Sequence, residues 1–72
     1  MIEREEVITE HRAISYKSLD ADGCPLFAEL TETSVTVRHE SVAGYVTFTF
    51  PRSAVSAVEA LLAAVLADIR SA

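Results

Sequence analysis

At Pro51 the hydrophobic period of this 72-residue chain changes from two to between three and four, and that change limits the folds open to it. Before Pro51, Leu26, Ala28 and Leu30 alternate with Phe27, Glu29 and Thr31, Val35 and Val37 with Thr36 and Arg38, and Val46, Phe48 and Phe50 with Tyr45, Thr47 and Thr49. Successive side chains of a strand point to opposite faces, so this pattern predicts three half-buried strands. Glu32-Thr33-Ser34 and Ser41-Val42-Ala43-Gly44 separate them and are short enough for hairpins. After Pro51, Val55, Val58, Leu62, Val65 and Ile69 recur at helical spacing, widened by Leu61 and Leu66. The predicted class is α+β: an antiparallel meander of three to four strands followed by one C-terminal helix packed on one face. Because that helix is the only cover available for the Val and Phe side of the sheet, Leu62 and Phe48 are expected in one core. Ser53 or Ser56 is available as its N-cap, and Ser56 with Glu59 fits a capping box.

The N-terminal segment carries a weaker signal. Ile14, Tyr16 and Ser18 alternate with Ala13, Ser15 and Lys17, which predicts a strand from about Arg12, whereas Glu3 to Arg12 suits helix equally well. Asp20-Ala21-Asp22-Gly23 predicts a chain reversal, since Asp tolerates turn geometry and Gly supplies positive φ. Neither a linker nor a repeat divides the chain, so residues 1–72 are read as a single small α+β domain, near the lower size at which one core suffices.

Charge and cysteine usage narrow the function. A net charge of −5 and a pI near 4.8 disfavour a phosphate-tracking surface, because nucleic-acid affinity rests on Lys and Arg displacing counterions. The lone Cys24 forms no internal disulfide and no cysteine-based zinc site, which suits a reducing, cytoplasmic setting. The first ten residues contain Glu3, Glu5, Glu6 and Glu10, unlike a secretory leader, and the longest apolar run, Ala60 to Ala67, is too short to span a bilayer.

No residue constellation points to catalysis. His11 and His39 are the groups that ordinarily titrate near neutrality, and neither sits in a recognisable motif. His39 lies on the Val35/Val37 side of its strand, near the end, where a sheet-edge or interface role is expected over that of a ligand. Cys24 has no basic cluster beside it to activate its thiol, and two glycines, Gly23 and Gly44, build neither a phosphate loop nor a nucleophile elbow. Asp20, Asp22 and Glu29 overlap part of the calcium-loop spacing, but Ser18 stands where the first Asp ligand belongs and the flanks read as strand. An Asp-Gly turn accounts for the same residues. The expectation is a non-enzymatic protein with no catalytic residues, no metal and no cofactor.

What remains is assembly. Ala57, Ala60, Ala64 and Ala67 recur on the helix side opposite the Val/Leu stripe, where a solvated helix would carry charge. Small residues at that interval let a second helix approach closely, so a homo-oligomer interface is assigned to these four alanines. Arg38, Tyr45 and Thr47, with Lys17 and Tyr16 as further candidates, form a partner-binding sheet face. As the alternative function, that face would stack single-stranded bases, in an arrangement that looks like the whirly and transcription-coactivator binders of single strands, although Glu29, Glu32 and Glu40 weigh against it.

From Cys24 onward the spacing also resembles a family of short actinobacterial proteins encoded beside helix-turn-helix regulators, of the BldB type. The resemblance is carried by Cys24, Ala28-Glu29-Leu30, Val35-Thr36-Val37-Arg38 and Phe48-Thr49-Phe50 followed by the helix, about half of the chain. It departs at His39, where the family has Asp, and in the absence of Trp. The resemblance implies a cytoplasmic regulatory partner of a helix-turn-helix protein. Together these readings describe an acidic protein-binding or regulatory module that self-associates through its C-terminal helix.

Overall fold

The computed structural model describes residues 2–8 and 12–71. Five strands follow one another in sequence: β1 (Glu3–Ile8), β2 (Arg12–Leu19), β3 (Pro25–Leu30), β4 (Ser34–Ser41) and β5 (Gly44–Pro51). A 3₁₀ turn, Arg52–Ala54, leads into the helix α1 (Val55–Ser71). The strands lie in the order β1-β2-β3-β4-β5 with every neighbour antiparallel, so the sheet is the expected meander with one more strand than predicted.

β1 escaped the sequence pattern because Glu3, Arg4, Glu5 and Glu6 erase hydrophobic alternation. As an edge strand it needs little apolar surface, and its charges blunt the open edge against further pairing. Glu6 accepts hydrogen bonds from Arg4 and Arg12, each at 3.4 Å. Ser41 and Gly44 close the β4–β5 hairpin, with Val42 at its tip; Gly44 has φ +127°, a conformation that favours glycine.

The register sorts the sheet into two faces. Tyr16, Ala28, Val37 and Phe48 lie across from one another on consecutive strands, and Leu30, Val35 and Phe50 join them on an apolar face. Lys17, Phe27, Arg38 and Thr47 form the corresponding row of the polar face.

The helix does not cover the apolar face. α1 packs against the 3₁₀ turn before it and makes no extensive contact with any strand. The molecule measures 47 × 28 × 22 Å with a radius of gyration of 13.7 Å. A compact chain of this length would have a radius near 11 Å. The expected core of Leu62 and Phe48 is consequently absent within one chain: no described residue is buried, and these two side chains are 60% and 67% exposed.

The Arg52 amide donates to the Thr33 carbonyl at 3.2 Å, and its guanidinium donates to the Thr31 carbonyl at 3.3 Å. Both bonds tie the connector before the helix to the β3–β4 hairpin. The predicted capping box also fails. α1 begins at Val55, which places Ser56 inside the first turn, and the 3₁₀ turn supplies the entry through the Val55 amide and the Arg52 carbonyl.

Candidate functional site

Two uncovered apolar surfaces dominate the molecule. On α1, Leu61, Leu62, Val65, Leu66 and Ile69 are all exposed, and so are Ala57, Ala60, Ala64 and Ala67 on the opposite side. The four alanines assigned to an interface are therefore accessible on a projecting helix, and the Val/Leu stripe, assigned to an internal core, is accessible as well. Near the sheet's far edge, Val46 and Phe48 of β5 are similarly open. β5 carries no charge between Tyr45 and Phe50, so this edge lacks the protection that β1 has.

The polar face brings together the residues assigned to partner binding, with one exception. Arg38 and Thr47 are direct cross-strand partners, and the Arg38 guanidinium stands 5.0 Å from the Phe27 ring centre and 5.8 Å from that of Tyr45. Lys17 approaches Phe27 from the other side at 5.8 Å. The cations sit over aromatic faces, where the ring quadrupole attracts them. Beside them Thr36 and Thr49 share a hydroxyl hydrogen bond of 3.1 Å. Ser15, Phe27, Glu29, Thr36, Arg38 and Thr47 line an open depression of about 320 Å³ on this side. Tyr16 is the exception, since its register partner is Ala28 and it belongs to the apolar face. Phe27 was missed as a member of this face, although its alternation with Leu26 and Ala28 places it there.

A third cluster stands at the end of the apolar face. Asp20 Oδ1 accepts from the Asp22 and Cys24 amides, each at 2.9 Å, while the Gly23 amide donates to the Asp20 carbonyl at 3.0 Å. Gly23 supplies the φ of +81° that completes this turn. The other carboxylate oxygen, Oδ2, lies 2.8 Å from His39 Nε2, which donates to it. The bond from His39, followed by that from the Cys24 amide, holds the Asp20 carboxyl below its ordinary pKa. His39 is not at a sheet edge, since β4 lies between β3 and β5; it links the β2–β3 turn to β4.

The residues of the calcium-loop spacing are not brought together in the fold. Asp20 is committed to its own turn and to His39, whereas Glu29 sits on β3 opposite Ser15 and Thr36. Among the described residues no three His, Cys, Asp or Glu side chains converge to hold a metal. His11 lies outside the described residues. Cys24 is a half-buried free thiol whose backbone closes the turn. No helix among the described residues is long and apolar enough to cross a membrane.

The arrangement presents apolar area on two elements and a cation–aromatic row on the opposite sheet face, surfaces suited to contact with other molecules. No protein-family model, curated protein or solved structure matches this chain.

Proposed function

We propose that this chain is a non-enzymatic, acidic regulatory module of the cytoplasm that self-associates through its C-terminal helix. The observation that carries the reading is surface area. The isolated chain exposes 5954 Å² for a mass of 7.8 kDa. A compact protein of that mass exposes about 4,400 Å². Most of the exposed large apolar side chains among the described residues lie on α1 and β5, a distribution that favours association over solvation.

Light scattering tests the reading. The parent protein is expected at twice the chain mass or more, and Ala60→Glu or Ala64→Arg, which retain helix propensity while adding bulk and charge to α1, are expected to lower that mass. A monomeric parent would overturn self-association. The regulatory part of the proposal rests on the BldB-type resemblance and implies a helix-turn-helix partner protein. Co-purification of a helix-turn-helix protein with the tagged chain from its native cells is the corresponding test.

A second reading is favoured by one observation, the Lys17–Phe27–Arg38–Tyr45 row, which offers aromatic faces and positive charge to single-stranded bases. The net charge of −5 opposes it. Sub-micromolar retention of single-stranded DNA on filters at low salt, weakening as salt is added, would replace the protein-binding reading with this one.

A further inference from the structure

Two apolar surfaces of one chain are open at the same time. α1 presents Leu62, Val65 and Ile69, and the sheet presents Val46 and Phe48; these five side chains are between about half and two-thirds exposed. The two bonds from Arg52 to the Thr31 and Thr33 carbonyls anchor the connector to the β3–β4 hairpin, and beyond it α1 makes no extensive contact with its own sheet. Within one chain neither α1 nor the apolar sheet face has a cover, which leaves both open to one from outside.

A second copy supplies both missing covers with one sequence. The dimensions agree, since a 17-residue helix is about 25 Å long and five strands at their usual spacing span about 20 Å. The area agrees as well. The chain exposes 5954 Å² against the ~4,400 Å² of a compact protein its size, a surplus of roughly 1,500 Å². Two such surpluses amount to about 3,000 Å² of buried interface, within the range of obligate homodimers. The edges favour the same side of the sheet: β1 is guarded by four charged residues, whereas β5, which leads into the helix, has none between Tyr45 and Phe50.

We propose that two copies of this chain exchange their C-terminal helices, the Leu62–Ile69 stripe of each α1 lying on the Val37–Phe48 face of its partner's sheet. This rests on the self-association proposed above and specifies its geometry. The apolar stripe then fills a core that neither chain builds alone, and the alanine side is left for the other helix. The exchange accounts for a helix that is apolar on two sides.

Disulfide trapping on the full chain tests the exchange. In a Cys24→Ser background, Ala28→Cys marks the apolar sheet face and Leu62→Cys marks the helix stripe; the double variant and both single variants are oxidised mildly and run without reductant. Exchange is expected to double the mass of the double variant while both single variants stay at chain mass. A double variant that forms its disulfide within one chain would show the helix folding back and overturn the proposal. Doubling of the Leu62→Cys single variant would put the helix stripes against each other and overturn the exchange while leaving self-association intact. No disulfide, either here or in a Val37→Cys/Val65→Cys repeat, would also overturn the exchange. Light scattering of the parent separates the two levels: a monomer removes self-association and exchange together, and a dimer without the sheet-to-helix link removes the exchange alone.

Discussion

Asp20 shows how much one side chain can organise where none of the described residues is buried. Its carboxylate accepts from two amides of its own turn and from His39 on β4, so the β2–β3 reversal is fastened to the middle of the sheet. The charge makes this fastening pH-dependent. Because the folded carboxyl titrates below its ordinary value, the stabilisation is complete above the unfolded value near 3.9 and is lost as pH falls through the lower folded value. Asp20→Asn keeps an oxygen for the turn amides but gives up the charge. The parent is expected to exceed Asp20→Asn in urea midpoint at neutral pH, with the difference shrinking as pH drops below about 4. A difference that persists unchanged in acid would assign the effect to turn geometry and not to charge.

Among the elements, the strands differ most in how they are protected. β1 is charged and short, as suits a guarded edge, while the eight residues of β5 are uncharged, six of them Tyr, Val, Thr and Phe between Gly44 and Pro51. The polar face is held by cross-strand pairs, of which the Arg38 guanidinium over Phe27 and Tyr45 is the most elaborate. Arg38→Ala is expected to cost about 0.5–1 kcal/mol in urea denaturation through loss of these stacking contacts. Arg38 also lies 4.0 Å from Glu40, but both side chains are largely solvated and the ion pair contributes little. Glu40→Ala is accordingly expected to change stability by less than about 0.5 kcal/mol. Equal losses from the two substitutions would shift the weight from the aromatic rings to the ion pair.

For the molecule as a whole, stability is expected to depend on protein concentration. A 17-residue helix with no tertiary cover is marginal in water, and a sheet with one open apolar face has little burial to offset its conformational entropy. If association supplies the cover, the thermal midpoint rises with concentration, because partner binding stabilises the folded chain by mass action. Phe48→Ala and Leu62→Ala separate this from a self-sufficient monomer. Each is expected to cost about 2–4 kcal/mol at high concentration, as buried residues do. In a monomer, side chains as exposed as these would change stability by no more than about 0.5 kcal/mol.

The period-two segments between Leu26 and Phe50 determined three strands and the side chains that share a face, because a strand's alternation leaves no other way to segregate Val and Phe from Thr and Arg. Asp20-Ala21-Asp22-Gly23 determined its own reversal through local hydrogen bonds, and the Val/Leu spacing after Pro51 determined a helix. β1 was hidden, since a charged edge strand carries no hydrophobic alternation to read. Phe27 was legible as a polar-face residue, but its position between Lys17 and Arg38 required the register. The alanines and the Val/Leu stripe marked two sides of α1 for contact without saying with what, since burial of apolar surface is non-directional and satisfied by any cover of the right shape. Tertiary structure alone decided that this cover is not the chain's own sheet: α1 makes no extensive contact with any strand, and the connector it leaves from is anchored by two bonds from Arg52 to Thr31 and Thr33, residues 21 and 19 positions earlier.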